Sequence, residues 1–375
     1  MALAVPKSGS SRLGFLDWTR GLAAVIMLQG HVFHSFTTKN LRDSGPYVLS
    51  QFIGGITPAV FLFLTGVTLA FLMESREKQG VGPLGRVLAT FGRARYLAVI
   101  AILFRLQLCL FGYPWTNWTD VFKVDILNSM ALAVAVMALF AAIPASARVR
   151  AAGLAGLAIA AVSPLVSMAG VTWMHPFVAS YFVPDYNQFS FFPWAAFVAF
   201  GVSAGTLLRI LDKEALPRIM QWSAVSGFGL IFIGQYFGNL PYSFYDKSEF
   251  WLNSPALIVI KLGVILVIAA AAYLWNLQPA VREWSWIRQL GTTSLIVYWV
   301  HIELVYGRWF GFWKESLTGM QCAAASVFLI VCMVMHAYKF ADTVKHHHGI
   351  GHGISHNGEN SRYKCLVNFE RERKH

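Results

Sequence analysis

The chain has 375 residues, of which 56% are hydrophobic and only 13% are charged, and its mean hydropathy is +0.54. This composition is too apolar for a soluble protein and indicates a polytopic membrane protein. A net charge of +12 would suggest nucleic acid as a partner in a soluble protein. Here we expect no nucleic acid, because basic loops that contact anionic lipid headgroups account for the charge.

Ten stretches have the roughly 20 apolar residues that a membrane-spanning helix needs. In chain order they are 14–36, 52–73, 94–112, 124–143, 151–170, 188–209, 221–240, 255–275, 291–310 and 319–340. Because lipid offers no partner to unpaired backbone groups, we expect an all-α integral membrane bundle of about ten transmembrane helices. The membrane domain covers 13–341, after a cytoplasmic segment 1–12 and before a tail 342–375.

The distribution of basic residues predicts the orientation in the bilayer. The loops on one side contain twelve Lys and Arg residues, and those on the other side contain six. Lys and Arg mark the cytoplasmic side, so both termini are predicted to be cytoplasmic, in a bacterial inner membrane. Five histidines between 346 and 356 are interpreted as part of a flexible tail, because no carboxylate or cysteine accompanies them to fix a metal.

The first predicted helix contains several ionisable residues. Asp17 and Arg20 are one helical turn apart, and His31 follows Arg20 after about 16 Å of helical rise. Such residues are costly at membrane depth, so they are a functional hypothesis by default. Arg20 suits a phosphate or carboxylate, whereas His31, with His34 on the same face, suits proton transfer. The simpler interpretation is a structural ion pair and a hydrogen-bonded histidine.

Three other predicted helices also bring polar residues into the bundle. Asp125 and Asn128 begin the fourth helix, where capping alone would also explain Asp125, and Tyr298 and His301 are one turn apart in the ninth. We expect these four residues to bind an acceptor substrate. Arg105, in the third helix, is a further cation at depth. Several such helices together indicate a buried site rather than isolated structural contacts.

At these positions the sequence resembles the membrane acyltransferases of the heparan-α-glucosaminide N-acetyltransferase type. More distantly, it resembles the acyltransferase-3 family of bacterial glycan O-acyltransferases. The segments that carry the resemblance are 12–31, 61–66, 124–128 and 291–301. The spacing from Arg20 to His31 is also the spacing of the acyltransferase-3 signature.

The resemblance implies transfer of an acyl group, with acetyl expected, from cytoplasmic acyl-CoA to an amine or hydroxyl of a sugar or glycan across the bilayer. Carried over to this chain, Arg20 would help to position acetyl-CoA and His31 would be the general base, with His34 as the alternative base. We further expect Arg105 to bind the donor and Asp17 to belong to the catalytic set. No metal is implied. Direct transfer and a covalent acyl-histidine both stay open, as do N- and O-acylation.

Two other classes of function fit the same residues. A secondary transporter or flippase for a small anionic or lipid-linked solute also keeps Asp, Arg and His at depth, although no internal repeat is detectable. A non-catalytic scaffold would tolerate apolar replacements of Asp17, Arg20 and His31 with loss of packing only.

Overall fold

The computed structural model describes residues 13–343, apart from 115, 170–172, 187, 247, 341 and 342. The predicted N-terminal segment and the histidine-rich tail lie outside the described residues. We call the end of the bundle where the first helix starts the inner end, and the opposite end the outer end. These names follow the predicted orientation.

Every regular element in this part of the chain is a helix, which confirms the predicted all-α membrane bundle. The helices are α1 Gly14–Phe36, α2 Gly45–Gly54, α3 Thr57–Lys78, α4 Pro83–Gly112, α5 Ile126–Met137, α6 Ala145–Met168, α7 Pro176–Phe182, α8 Phe191–Ile210, α9 Leu216–Gly238, α10 Pro255–Trp275, α11 Pro279–Glu283, α12 Trp286–Thr292, α13 Ser294–Tyr306 and α14 Gly319–Phe340.

Eight helical stretches of the described chain are long and apolar enough to cross a membrane. They comprise α2 with α3, α4, the stretch Trp118–Ala142 around α5, and then α6, α8, α9, α10 and α14. The two remaining predicted spans correspond to α1, which carries the ionisable residues, and to α13, which has only 13 residues. Two of the ten predicted spans are therefore more polar or shorter than an ordinary span.

Three predicted boundaries are wrong in an informative way. The second predicted span is two helices, because the chain turns at Gly55 and Ile56 between α2 and α3. The ninth is also divided, between α12 and α13, where Thr293 leaves helical geometry at φ −110° and ψ 16°. The third begins at Pro83 rather than 94, because proline is well suited to the first turn of a helix.

The centre of the bundle depends on a close crossing of α3 and α8. A Cβ atom on Gly66 would lie 2.1 Å from the carbonyl oxygen of Val198, and one on Gly201 would lie 2.0 Å from that of Phe63. Small residues let membrane helices approach to backbone contact, where van der Waals packing is strongest. The α3–α8 crossing therefore fixes the position of α3, which lines the site described below.

A buried ion cluster holds the inner end of the bundle together. Arg148 is fully buried; it donates to the Glu77 carboxylate at 2.8 Å and to the carbonyl oxygens of Phe140 and Ile143. Arg86 of α4 bonds the same carboxylate at 3.0 Å. Arg86 and Arg148 lie outside the predicted spans, but in the structure they join α3, α4 and α6. Their pairing satisfies the rule that a buried charge must be paired and hydrogen-bonded.

Candidate functional site

A cavity of about 620 Å³ lies between α1, α3, α4, α5, α12 and α13. Residues at two helix breaks line the cavity. Thr57 and Pro58 follow the break between α2 and α3, and Thr293 and Ser294 lie at the break between α12 and α13. Arg20 and His31 also line it, so the cavity extends roughly 16 Å along α1. This volume is within the range of pockets that enclose small-molecule ligands.

Two histidines from distant parts of the sequence meet beside the cavity. His31 Nδ1 lies 2.9 Å from His301 Nε2, and the two ring planes are 9° apart. His301 is fully buried, and its Nδ1 lies 2.8 Å from the carbonyl oxygen of Val297. The predicted residues His31 and His301 are therefore joined directly, although 270 positions separate them in the chain.

The hydrogen bonds of this pair determine where the protons lie in the neutral state. A carbonyl oxygen can only accept, so Nδ1 of His301 carries its proton and Nε2 of His301 has the lone pair. The proton in the bond between the two rings then belongs to Nδ1 of His31. Nε2 of His31 is left with a lone pair, and His31 is the member of the pair that lines the cavity. This is the tautomer that a general base requires.

His34 occupies a different position from His31. Its Nδ1 lies 3.0 Å from the hydroxyl of Tyr306, and its side chain is exposed and does not line the cavity. The Tyr306 ring contacts both histidines, with centroid distances of 5.5 Å to His31 and 5.8 Å to His34. The geometry therefore favours His31 over His34 as the group that reaches a ligand in the cavity.

Arginines line the inner part of the cavity. Arg20 forms an ion pair with Asp17 at 3.2 Å, and the Asp17 side chain is buried and does not line the cavity. Arg93 of α4 also lines the cavity, and its guanidinium lies 5.1 Å from the centre of the Tyr96 ring. Two cations at one end of the cavity and a histidine further along it give the site a defined polarity.

Backbone contact between α1 and α12 fixes these groups. A Cβ atom on Gly21 would lie 1.8 Å from the carbonyl oxygen of Ile287, and one on Gly291 would lie 1.8 Å from that of Asp17. Only glycine permits such an approach at both positions. The crossing brings Arg20 next to the break at Thr293, so glycines in two helices determine the shape of the inner cavity.

One of the predicted acceptor residues lines the outer rim of the cavity, and the others are next in sequence to residues that line it. Asp125 caps α5 by accepting from the backbone N–H groups of Leu127 and Asn128, and its Oδ2 atom is buried without a hydrogen-bond partner. The Asn128 side chain donates to Asp125 at 3.2 Å. Tyr298 lines the cavity and lies one turn from His301. Asp125, Asn128 and Tyr298 therefore surround the same region, but only Tyr298 lines the cavity itself.

Arg105 does not join Arg20. It lines a second pocket of about 170 Å³ whose residues are all different from those of the large cavity. Arg93, which does line the cavity with Arg20, is 12 residues or about 18 Å earlier in α4. Arg93, rather than Arg105, therefore lines the large cavity together with Arg20. Arg105 lies near the outer end of α4.

Sequence reasoning missed Arg93 and the threonines of the helix breaks. With the third span predicted from 94, Arg93 falls in the preceding loop, whereas α4 begins 11 residues earlier. The pair Gly82-Pro83 is a helix-start signal that would have placed Arg93 inside the helix. Thr57, Thr292 and Thr293 lie within predicted spans, but nothing in their local pattern indicates that both segments face one cavity.

A sequence profile described as heparan-alpha-glucosaminide N-acetyltransferase, catalytic, matches residues 12–245, more than half of the chain. The match includes α1 with Arg20 and His31 and the α5 cap at Asp125, whereas α12 and α13 lie beyond it. A search of curated proteins gives no match. The chain therefore belongs to the family of the heparan-alpha-glucosaminide N-acetyltransferase catalytic domain.

Proposed function

We propose that the protein transfers an acetyl group from acetyl-CoA to an amine or hydroxyl of a sugar on the opposite side of the membrane. The family supports a membrane acetyltransferase-type function. The observation that carries the finer proposal is the tautomer of the histidine pair, because it leaves the lone pair on the histidine that lines the cavity.

The chemical step uses His31 as a general base. As the acceptor nitrogen or oxygen attacks the thioester carbonyl, Nε2 of His31 takes the proton from that nucleophile. The carbon–sulfur bond breaks, and the proton on His31 is available to the departing CoA thiolate. Positive charge on His31 is shared with His301, whose Nε2 accepts from His31. Direct transfer is the simpler scheme, and a covalent acyl-histidine would use the same nitrogen.

The donor end is assigned to Arg20 and Arg93. CoA is an anionic nucleotide with a thin pantetheine arm, so its phosphates belong near the arginines while the arm follows the cavity towards His31. Arginine is the side chain best suited to phosphate, because its guanidinium donates several parallel hydrogen bonds. Asp17 then acts as a positioning residue, since it holds the Arg20 guanidinium at 3.2 Å.

The donor assignment is tested by equilibrium binding of radiolabelled acetyl-CoA to the purified protein in nanodiscs. We expect Arg20→Ala to weaken binding tenfold or more, since a charge-assisted hydrogen bond contributes about 1.5–3 kcal/mol. Arg95→Ala is the matched control, because Arg95 lies on α4 two residues from Arg93 but outside the cavity. Equal affinity in wild type and Arg20→Ala would contradict the donor assignment.

Asp125 allows the acceptor role to be separated from the structural one. Asp125→Asn keeps an oxygen that can cap α5 but removes the charge, whereas Asp125→Ala loses both. We expect Asp125→Asn to raise the acceptor KM about tenfold at unchanged thermal stability. Asp125→Ala should also destabilise the protein by about 1 kcal/mol. Steady-state kinetics and thermal unfolding in detergent give the two readouts, and an unchanged KM in Asp125→Asn would leave capping as its only role.

The helix breaks support a second candidate function. Secondary transporters build their sites at interrupted helices, and two such interruptions line this cavity. The alternative is therefore transport of a small anionic solute past Arg20 and Arg93. Uptake by proteoliposomes that contain no acetyl-CoA would favour transport, whereas label transfer that needs both substrates would favour the acetyltransferase.

A further inference from the structure

A second pocket lies near the outer end of α4, separate from the large cavity. Its volume is about 170 Å³, and Arg105 and Lys123 line it together with Asp120. Together, the side chains of Arg105, Lys123 and Asp120 carry one net positive charge. Arg105 uses Nη2 to donate to the Asp120 carbonyl oxygen at 2.6 Å, but its Nε atom is buried without a hydrogen-bond partner. A buried guanidinium donor that is left unpaired is costly and indicates a missing acceptor.

The surroundings of this pocket are those of a lipid interface. The neighbouring face of α4 exposes Ile102, Leu106 and Leu110. Tyr113 and Trp118, which lie in sequence between the pocket residues Cys109 and Asp120, are 72% and 71% exposed. Exposed tyrosine and tryptophan beside an apolar helix face are typical of the level of the lipid headgroups. We therefore expect the pocket to lie at the level of the lipid phosphates.

The pocket also connects to the proposed acceptor site through Lys123. The Asn128 side chain donates both to the carbonyl oxygen of Lys123 at 3.4 Å and to the Asp125 carboxylate at 3.2 Å. Phe104, the residue before Arg105, contacts the Tyr298 ring at a centroid distance of 5.3 Å, and Tyr298 lines the large cavity. The small pocket is thus adjacent to the rim of the cavity, on the side where Asp125 has an unpartnered carboxylate oxygen.

We propose that Arg105 and Lys123 bind the phosphate of a lipid-borne acceptor, so that a sugar attached to that phosphate reaches the rim near Tyr298. This inference rests on the proposed function, and it names the class of acceptor: a saccharide carried on a lipid phosphate rather than a free sugar. The unpaired Arg105 Nε and the Lys123 ammonium both suit a phosphate oxygen.

Binding is measured first, because it does not depend on catalysis. The purified protein in phosphatidylcholine nanodiscs is titrated with geranylgeranyl phosphate, and bound lipid is followed by native mass spectrometry. We expect saturable binding that Arg105→Gln and Lys123→Gln each weaken tenfold or more. Lys123 is exposed, so its variant should fold normally. Arg95→Gln makes the same change of charge on an exposed part of α4 and should bind like the wild type.

Three comparison ligands identify the source of the phosphate. Equal binding of geranylgeraniol, which lacks the phosphate, overturns the proposal. Competition by inorganic phosphate at the same concentration as the prenyl phosphate overturns the claim that the bound phosphate is carried on a lipid. Equal binding of dioctanoyl phosphatidylglycerol indicates an ordinary lipid site and overturns the acceptor part.

A kinetic measurement then tests whether the pocket contributes to acetyl transfer. With glucosamine linked to geranylgeranyl phosphate as acceptor, we expect Lys123→Gln to raise the acceptor KM tenfold at unchanged kcat and unchanged acetyl-CoA affinity. An unchanged KM overturns the acceptor assignment. If no variant or wild type transfers acetyl to any acceptor, the proposed function fails, whereas the binding measurement still decides whether the phosphate site exists.

Discussion

Replacement of His31 by alanine is expected to reduce acetyl transfer at least a hundredfold. The loss removes the nitrogen that takes the acceptor proton, and general acid–base catalysis typically contributes about 10²–10⁴-fold in rate. Because the variant also removes the bond to buried His301, thermal unfolding in detergent is measured to establish that the protein still folds. The measurement is the single-turnover transfer of radiolabelled acetyl to glucosamine-bearing acceptors, with the affinity for acetyl-CoA measured in parallel.

Two further variants separate the base from its partners. His301→Gln retains an acceptor for Nδ1 of His31 and should lose less activity than His301→Phe, since loss of an orienting partner typically costs about 10–100-fold. His34→Ala should retain most of the activity, because His34 does not line the cavity. Near-normal transfer by His31→Ala, or a larger loss in His34→Ala, would remove His31 from the proposed mechanism.

The membrane fold follows from apolar run lengths, which are a strong signal because lipid leaves few alternatives to the helix. Each predicted span corresponds to a helix of the structure. The differences are the two interruptions, at Gly55 and Thr293, and the earlier start of α4 at Pro83. The break at Thr293 and Ser294 contains no proline, so the sequence does not indicate it. Contacts with neighbouring helices determine whether such a segment continues as a helix.

The individual site residues were easier to predict than their arrangement. His31 could be predicted because an ionisable residue at membrane depth is rare, and the same argument applies to Arg20 and Asp125. That His31 pairs with His301, whereas Arg20 does not pair with Arg105, depends on which helices are neighbours. One sequence contains no direct record of such contacts, because the bonded atoms are 270 positions apart.

The α1–α12 crossing explains how the protein keeps its site in place with few polar contacts. At this crossing the two backbones touch, and the position of Arg20 relative to the break at Thr293 follows from that contact. A change at the crossing should therefore affect catalysis even though no catalytic side chain is altered.

Gly291→Ala is the second variant for which we expect a large effect. The added Cβ atom would lie 1.8 Å from the carbonyl oxygen of Asp17 and 2.8 Å from the backbone nitrogen of Gly21, so α1 and α12 must separate. Overpacking of this kind costs about 1–3 kcal/mol, and a displacement of roughly 1 Å at a site reduces rates about a hundredfold. Thermal unfolding in detergent and the transfer rate provide the two measurements.

Gly229→Ala is the matched control, because Gly229 lies within α9 and a Cβ atom there would meet no atom within 4 Å. Alanine is favoured over glycine in a helix by roughly 0.5–1 kcal/mol, so this variant should be slightly more stable and fully active. If Gly291→Ala retained wild-type transfer, the crossing would not position the site. If it lost activity at normal stability, its role would be to position Arg20 and the α12–α13 break rather than to hold the fold together.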